Sequence, residues 1–348
     1  MAAINSDTLS EAKSAQREEH EKIGSYLEMM KAVRIHEYGG TEKLQCENVP
    51  IPVIGPDEVL VKVHSAGVNP VDWKVRDGQF KGSIAHKFPL ILGWDVFGTI
   101  VQTGKLVSRF TKGEFIVASL DVSLNGSYAE YVAVKSKDAA FAPKVPANGA
   151  SAVPLAAQTA WAGLFEVGNL KAGQRVLIRG GSGGVGTFAV QLAKIAGANV
   201  IATTSGLNAN LVKSLGADQV LDYTQEEFGE LRGIDMIFDT IGGDAQAHSW
   251  KVLKKGGLLV STVGVDEKGA AERGVFGKSF TMIPNGSRLQ EISNLIDKGM
   301  LRVIVEKIFP LSEAGKAHEL SKSGKTRGKI ILHILNDSGI PQMTGSLG

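Results

Sequence analysis

The residues whose spacing points most clearly to chemistry are the glycines of one short stretch. Residues 180–186 read Gly-Gly-Ser-Gly-Gly-Val-Gly, so that Gly181, Gly183 and Gly186 have the spacing G-x-G-x-x-G. In that pattern one glycine allows a tight turn, one lets the backbone approach a pyrophosphate, and one lets a helix pack closely on a strand. Free backbone N–H groups and the positive end of the helix then bind the phosphates. The stretch therefore predicts a dinucleotide-binding site.

The elements on both sides of these glycines are those that such a site requires. Residues 175–179 (Arg-Val-Leu-Ile-Arg) form a short apolar run typical of a strand. From Val185 onward, apolar residues recur with the spacing of an amphipathic helix. A strand, a glycine turn and a helix in this order distinguish the fingerprint from an isolated glycine-rich loop. We assign the whole turn to the cofactor, with contacts predicted from Gly181, Ser182, Gly183, Gly184, Val185 and Gly186.

The end of the next strand bears on the choice between NADH and NADPH. An NAD-specific site places Asp or Glu there, about 20 residues after the fingerprint. This chain has Thr203-Thr204-Ser205-Gly206 instead, so no acid repels a 2′-phosphate. The hydroxyl groups of Thr203 and Ser205, with a helix N-terminus at Asn208, would accept that phosphate. We therefore predict that the cofactor is NADPH.

Two kinds of pattern divide the rest of the chain. From Ser151 onward, short apolar strands alternate with helices, which is typical of a doubly wound parallel sheet of Rossmann type. Before Ser151, short strands are separated by Gly and Pro in an all-β pattern of barrel or sandwich type. The predicted fold class is therefore α/β, with a Rossmann sheet and a second, β-rich domain.

Composition excludes several classes of protein. The chain has 43% hydrophobic and 21% charged residues, which is the balance of a globular protein. A net charge of +2 gives no support for binding to nucleic acid or to an anionic membrane surface. There is no apolar run of about 18 residues, so we predict no transmembrane helix. The single cysteine, Cys46, cannot form an intrachain disulfide, which indicates a reducing compartment, and we predict the cytoplasm.

Six short motifs occur in a fixed order and connect the chain to a known family. They lie at residues 67–72, 89–98, 126–131, 158–161, 215–218 and 326–332. Together they resemble the medium-chain dehydrogenase/reductase superfamily, and within it the zinc-free quinone oxidoreductase branch. The resemblance spans roughly residues 30–335. It implies a GroES-like catalytic domain that the C-terminal segment rejoins.

The domain limits follow from this resemblance together with the change of pattern near Ser151. We predict an N-terminal extension (1–29), a GroES-like catalytic domain (30–152), a Rossmann cofactor-binding domain (153–284), a return to the catalytic domain (285–335) and a tail (336–348). The active site is expected in the cleft between the domains, at the carboxyl ends of the Rossmann strands.

Departures from the zinc-dependent members of the superfamily bear on the chemistry. Those members place a cysteine where Asn69 stands and Gly-His-Glu where Gly93-Trp94-Asp95 stands. Neither Asn nor Trp is a usable zinc ligand here, and the seven histidines include no H-x-H or H-x-x-x-H pair. We therefore predict no metal site. Without a Lewis acid to polarise an alcohol oxygen, reduction of an electron-poor acceptor is favoured over oxidation of simple alcohols.

The resemblance also implies cofactor contacts outside the glycine turn. Asn69 stands where the family contacts the nicotinamide or the substrate. Tyr223 matches a position where related reductases contact the phosphate side. Four further contacts are predicted. Thr159 and Val263 stand where relatives touch the nicotinamide. Thr240 follows the end of a Rossmann strand, and Lys329 lies in the last motif.

Three side chains are candidates for catalysis, each with an alternative role. Asn69 contacts the reacting groups, or only forms the turn before Pro70. Lys74 stabilises the oxygen of a developing enolate or hydroquinone, or is a surface lysine. Tyr128 donates a proton, or only packs beneath the sheet.

The sequence thus predicts a zinc-independent, NADPH-dependent reductase of quinones. The alternatives are a double-bond reductase of alkenals and enones, and a non-catalytic NADPH-binding protein. The expected partners are a small-molecule quinone or enone and a second copy of the chain. A homodimer would form through an edge strand near residues 279–283, where backbone pairing joins two sheets.

Overall fold

The computed structural model of the chain describes residues 28–224, 231–243, 246 and 249–335. The predicted N-terminal extension, apart from its last two residues, and the predicted tail lie outside these ranges.

The described residues form strands and helices over most of their length. The strands are β1 (Met29–Ile35), β2 (Gln45–Pro50), β3 (Glu58–Val68), β4 (Leu90–Ile91), β5 (Asp95–Thr103), β6 (Phe115–Ser119), β7 (Tyr131–Lys135), β8 (Ala139–Phe141), β9 (Arg175–Arg179), β10 (Asn199–Thr204), β11 (Gln219–Asp222), β12 (Ile234–Asp239), β13 (Leu253–Ser261), β14 (Phe276–Ser279), β15 (Val305–Pro310) and β16 (Lys329–His333). The α-helices are α1 (Pro70–Arg76), α2 (Ala147–Ala150), α3 (Pro154–Trp161), α4 (Gly184–Ile195), α5 (Ala209–Ser214), α6 (Glu267–Glu272), α7 (Gly286–Asp297) and α8 (Ala314–Lys322).

The predicted Rossmann sheet is confirmed. It has six strands in the order β11-β10-β9-β12-β13-β14, and every neighbouring pair is parallel. The central strands β9 and β12 are buried along almost their whole length, because helices cover both faces of a sheet of this type. Strand β9 lies in the middle and leads directly into the glycine turn.

The predicted β-rich domain is also confirmed. A mainly antiparallel sheet has the order β15-β16-β3-β5-β6-β8, with β7 also pairing with β3, and a smaller sheet has the order β2-β1-β4. The apolar core between these sheets contains Trp94, Leu92 and Ile35, all fully buried.

The C-terminal segment joins the β-rich sheet after passing the glycine turn. Strand β16 pairs with β3 in an antiparallel register that sets Ile330 opposite Val68. Just before β16, the N–H of Gly328 donates to the carbonyl of Ser182 at 2.8 Å. One short segment thus contacts both the glycine turn and the β-rich sheet. The limits proposed for the domains at residues 152 and 284 stay a prediction.

The edge strand of the Rossmann sheet lies slightly earlier in the chain than predicted. It is β14, whose last residue, Ser279, pairs with Ser261 at the end of β13. Residues 280–283 form no strand, although the N–H of Phe280 still donates to the carbonyl of Ser261, the last residue of β13, at 3.1 Å. The free edge relevant to a dimer is therefore β14, and the dimer itself stays a prediction.

Candidate active site

The glycine turn between β9 and α4 has the geometry that a pyrophosphate needs. Gly180 has φ +77°, in the left-handed region that favours glycine, so the turn is made one residue before the G-x-G-x-x-G motif. A Cβ on Gly186 would lie 2.0 Å from the carbonyl oxygen of Gly180, so only glycine lets α4 start this close to β9. Residues 182–185 are half-buried, and the first N–H groups of α4 have no acceptor within the helix. The turn therefore offers a cradle for an anion.

Hydroxyl groups at the end of β10 support this turn from behind. Thr203 is buried and its Oγ1 accepts from the N–H of Gly180 at 3.2 Å. Thr204 Oγ1 donates to Ser182 Oγ at 2.8 Å. Thr203, predicted to meet a 2′-phosphate, instead holds the glycine turn in place. Ser205, which is half-buried and accepts from Asn208 Nδ2 at 3.2 Å, remains on the exposed side of this strand end.

An acidic residue that the sequence reasoning missed lies beside this strand end. Asp222 is opposite Thr204 in the register of β10 and β11. Its carboxylate accepts from Thr224 and from the N–H of Gly206, and the hydrogen bonds from Thr224 lower its pKa. Tyr223 follows directly and is largely exposed. The absence of an acid on β10 therefore does not leave this corner free of negative charge, because the neighbouring strand supplies one.

The opposite wall of the cleft is centred on Asn69, which is 2% exposed. Its Nδ2 donates to Asp95 Oδ2 at 2.8 Å, and its Oδ1 accepts from Lys329 Nζ. Lys329, itself 4% exposed, also donates to the carbonyl of Val68 at 3.0 Å and lies 3.3 Å from Asp95 Oδ2. Asn69, Asp95 and Lys329, which we call the Asn69 cluster, thus form one buried polar group.

Strand register brings the Asn69 cluster together. Asn69 follows the end of β3, Asp95 begins β5, and Lys329 begins β16. The pairings place Gly67 opposite Asp95 and Val68 opposite Ile330, so the three cluster residues meet at one end of the sheet. Asp95 Oδ1 also accepts from the N–H of Leu155 at 2.7 Å, which attaches the start of α3 to the cluster.

Lys329 also reaches the Rossmann wall. A Cβ on Gly184, at the start of α4, would lie 2.9 Å from Lys329 Cδ. The side chain of Lys329 therefore runs along the helix N-terminus and ends at Asn69. Of the predicted cofactor contacts, the structure brings Lys329, Asn69 and the glycine turn together.

Further polar residues lie buried behind Asn69. The hydroxyl of Tyr128, fully buried, donates to Asp72 Oδ2 at 2.8 Å and lies 3.2 Å from His318 Nε2. Arg76 Nη1 lies 3.2 Å from His318 Nδ1. Because a guanidinium only donates, His318 accepts at Nδ1 and donates from Nε2 to Tyr128. The single proton of Tyr128 is then directed to Asp72, which supports the packing alternative for this tyrosine over that of a proton donor.

Burial shifts the pKa of these groups. It raises the pKa of Asp72 to about 7, although the N–H of Asn69 and the hydroxyl of Tyr128 act in the opposite direction. It lowers the pKa of His318 to about 3, and the charge of Arg76 adds to this. Burial likewise raises the pKa of Asp95, opposed mainly by the charge of Lys329. His318 is therefore neutral near pH 7, whereas Asp72 titrates there.

Lys74 lies apart from this buried group. Its ammonium is 5.6 Å from the ring centroid of Trp73, on which Lys322 also stacks at 5.4 Å. The structure therefore places the ammonium of Lys74 against an indole ring rather than within the Asn69 cluster.

The ends of β9 and β12 lie beside the loop that carries Thr240, one of the predicted cofactor contacts. Arg179 and Asp239 end these strands as a buried ion pair at 3.0 Å. Asp239 Oδ1 also accepts from the N–H groups of Ile241 at 3.0 Å and Gly242 at 3.2 Å. Thr240 Oγ1 donates to the carbonyl of Arg179 at 3.1 Å. The pair thus fixes the loop that carries Thr240.

Two further predicted contacts occupy different environments. Val263 is 43% exposed after the end of β13 and is available to a ligand. Thr159 is buried in α3, and its hydroxyl donates to the carbonyl of Leu155 at 2.7 Å, within its own helix.

Sequence reasoning missed the ion pair of Arg179 and Asp239, although a signal was present. Two apolar strands each end in a residue of opposite charge, and neighbouring parallel strands bring such ends together. No comparable local signal marks Asp95 or His318, whose partners are distant in the chain.

Comparisons with known proteins agree with this architecture. The family described as alcohol dehydrogenase GroES-like domain matches residues 55–146, and the family described as zinc-binding dehydrogenase matches residues 215–332. The zebrafish (Danio rerio) protein named NAD(P)H oxidoreductase RTN4IP1, mitochondrial, is 34% identical over 89% of this chain and 92% of its own length. The chain belongs to the medium-chain dehydrogenase/reductase superfamily.

Other members of the superfamily have names of two kinds. The Arabidopsis thaliana protein named NADPH-dependent alkenal/one oxidoreductase, chloroplastic, is 36% identical over 87% of this chain and 79% of its own length. The solved structure of the quinone oxidoreductase from Coxiella burnetii is 31% identical, with a TM-score of 0.82 over 88% of this chain and all of that one. The predicted superfamily is thereby confirmed, and the relatives include both quinone and enone reductases by name.

At the positions where zinc-dependent members of the superfamily have zinc ligands, this chain has side chains that bond to other protein groups. Asn69 is hydrogen-bonded to Asp95, and Trp94, fully buried, donates from Nε1 to the carbonyl of Leu124 at 3.1 Å. Within residues 28–224, 231–243, 246 and 249–335, no group of three His, Cys, Asp or Glu side chains could hold a metal ion. Across the same part of the chain, no helix has the length and apolar character needed to span a membrane.

Proposed function

We propose that this chain is a zinc-independent reductase that transfers hydride from NADPH to a quinone. The observation that carries the proposal is the link between the two walls. Gly328 donates to the glycine turn, and the next residue, Lys329, donates to Asn69. A dinucleotide whose pyrophosphate lies at the turn therefore has the Asn69 cluster within the same cleft. The chain is an NAD(P)H-dependent oxidoreductase of the superfamily, and the quinone is the finer part of the proposal.

The residues present fit a bound dinucleotide. A Cβ on Gly183 would have only the carbonyl oxygen of Gly180 within 4 Å, at 3.4 Å, so the turn is open there, and the free N–H groups at the start of α4 would bind the pyrophosphate. Ser205 and Tyr223 would lie near the adenosine end. NADPH, when bound, supplies the hydride. The protein excludes water, holds the reactants together and stabilises charge on the acceptor.

The charge of the Asn69 cluster favours the quinone over the enone. Lys329 and Asp95 neutralise each other, so the group nearest to an acceptor oxygen is the neutral amide of Asn69. A quinone ring delocalises the charge that it gains, whereas the enolate formed from an enone needs a stronger oxyanion partner. The enone reductase remains the second candidate, because the Arabidopsis relative is named for that activity.

The deciding experiment is NADPH consumption by the purified chain, with an ortho-quinone and a 2-alkenal assayed in parallel. We expect turnover of the quinone and its loss in Asn69→Ala. Asn199→Ala, at an exposed position of β10, is the matched control that should keep full activity. Turnover of the alkenal alone would indicate that the chain is a double-bond reductase. Turnover of neither, with NADPH still bound, would favour a non-catalytic NADPH-binding protein.

A homodimer and the cytoplasm belong to the same proposal. Among the strands that the structure describes, β14 pairs with a neighbour on one edge only, and it carries Phe276, which is 62% exposed. Pairing of two such edges would continue the sheet into a second copy. If Phe276→Lys sediments as a monomer and the wild type as a dimer, the result would support a dimer formed through the edge of β14. A monomeric wild type would exclude it.

A further inference from the structure

The amide of Asn69 has two orientations, exchanged by a half-turn of its end group. Each orientation presents either an oxygen or an N–H to a given neighbour. The chemistry of the neighbours decides between them. Lys329 Nζ has only donors, so the atom that it contacts must be the amide oxygen. Asp95 Oδ2, as a carboxylate oxygen, accepts from the amide nitrogen.

The other hydrogen bonds of Lys329 and Asp95 keep Lys329 as a donor to Asn69 and Asp95 as an acceptor from it. The other contacts of the Lys329 ammonium are the carbonyl of Val68 and Asp95 itself, so its three donors are used. Asp95 receives Leu155 N–H on its second oxygen, at 2.7 Å. Both side chains are almost fully buried, so water does not replace these bonds. The pair therefore holds the amide from both sides.

One donor of Asn69 is left over. The amide nitrogen carries two N–H groups, and within the described part of the chain its acceptor is Asp95 alone. The other N–H is the remaining polar group of this side chain. We propose that Lys329 and Asp95 are positioning residues that hold the Asn69 amide so that this N–H donates to the oxygen of the reducible acceptor. The inference rests on the proposed reductase function and specifies how the cluster serves it.

This role differs from the cofactor contact first assigned to Lys329. A lysine that binds a cofactor phosphate keeps its ammonium available to that phosphate. The Lys329 ammonium instead contacts Val68, Asn69 and Asp95, and only its aliphatic part lies along the start of α4. Loss of Lys329 should therefore lower the turnover number rather than the affinity for NADPH.

The first test separates these effects kinetically. Lys329→Met together with Asp95→Asn removes both charges, so that no unpaired buried charge remains. The amide introduced at position 95, whose oxygen accepts from Leu155 N–H, then donates to Asn69 and favours the reversed orientation of its amide. We expect kcat to fall about 100- to 1,000-fold, as for loss of one oriented donor, with the Kd for NADPH changed less than about threefold. Lys329→Arg keeps the donors and should restore most of kcat. A double variant that folds and retains kcat, or that loses NADPH affinity by the same factor, would overturn the inference.

A second test exchanges the two partners. Asn69→Asp with Asp95→Asn keeps one carboxylate, one amide and Lys329, so the net charge is conserved, and of the hydrogen bonds within the cluster only the 3.3 Å contact from Lys329 to position 95 is lost. It removes the N–H at position 69. The exchanged variant should fold with nearly the stability of the wild type, bind NADPH and lose the same factor of about 100 to 1,000 in kcat. Full activity in this variant would show that no donor is needed at position 69.

A third readout does not depend on turnover, so failure of the proposed function is distinguishable. In the protein labelled with ¹⁵N-asparagine, the Asn69 side chain should give one pair of well-separated proton signals. One N–H is bonded to Asp95 and should exchange slowly with deuterium, whereas the other should exchange quickly. The double variant with both charges removed should lose the slowly exchanging N–H, because position 95 no longer accepts from Asn69. Two orientations in the wild type would overturn the inference even if the chain reduces quinones.

Discussion

The two walls of the cleft are built in different ways. On the Rossmann wall, the glycine turn uses backbone groups and residues close in the chain, and its conformation depends on two glycines. On the other wall, Asn69 depends on Asp95, 26 positions away, and on Lys329, 260 positions away. The difference follows from what each wall must do. Binding a phosphate needs several N–H groups that one local turn orients, whereas fixing one amide needs partners on both sides.

The Rossmann wall also has long-range features, among them the bond from Gly328 to Ser182 and the buried ion pair of Arg179 and Asp239. Arg179→Met would leave the carboxylate buried without its partner and should reduce the free energy of unfolding by about 4 kcal/mol. Denaturant unfolding would measure this. Adding Asp239→Asn should recover most of the loss. If the single variant is as stable as the wild type, the ion pair does not stabilise this wall and the contrast with the Asn69 wall is sharper than stated.

A steric clash within the glycine turn should be enough to disrupt the local part of the Rossmann wall. Gly186→Ala places a Cβ 2.0 Å from the carbonyl oxygen of Gly180, and the backbone must move. We expect a loss of about 2 kcal/mol in stability and strongly reduced NADPH affinity, measured by denaturant unfolding and fluorescence titration. Gly315→Ala in α8 is the control, since its Cβ would meet nothing closer than 3.6 Å. Unchanged NADPH affinity in Gly186→Ala would show that the turn is not the cofactor site.

The Asn69 wall should show a pH dependence that the glycine turn lacks. Between about pH 4 and pH 7, folded Asp72 binds a proton that the unfolded chain has lost, so Asp72 makes stability fall as pH rises. Between about pH 3 and pH 6.5, the unfolded chain protonates His318 but the folded chain does not, so His318 makes stability rise with pH. The two contributions oppose each other where they overlap.

Single substitutions should separate these contributions. Relative to wild type, Asp72→Asn should make the free energy of unfolding increase more steeply with pH, and His318→Asn should make it increase less steeply. Each slope should change by up to about 1 kcal/mol per pH unit. Denaturant unfolding at several pH values within the overlap would measure both. Parallel curves for all three proteins would contradict the assigned pKa shifts.

The smallest expected effect concerns the corner where the adenosine end would lie. Asp222 brings a carboxylate beside Gly206, although β10 carries no acid. Asp222→Asn should increase the preference for NADPH over NADH by about threefold, the size expected for one exposed, screened charge. The ratio of kcat/KM for the two cofactors measures it, with Asp57→Asn, at an exposed position of the β-rich domain, as the control. No change would mean that the 2′-phosphate lies away from β11.

Much of the fold could be predicted because its signals are local. The strand, turn and helix around Gly181 differ in periodicity, and six motifs in order indicated the superfamily. The edge strand was misplaced by a few residues because its end depends on where β13 stops. Asn69 and Lys329 were both named as site residues, but as separate contacts. Their bond depends on the registers of β16 with β3 and of β3 with β5.

The sequence alone therefore determined the fold class and the glycine turn, because these follow from spacing within a few residues, and it indicated Asn69 through the resemblance to the superfamily. The tertiary structure decided what surrounds Asn69: that Lys329 and Asp95 hold its amide, that Tyr128 donates to Asp72, and that Asp222 joins the end of β10. The physical reason is that a buried polar group needs partners with the right donors and acceptors. Only long-range strand pairing decides which distant residues supply them.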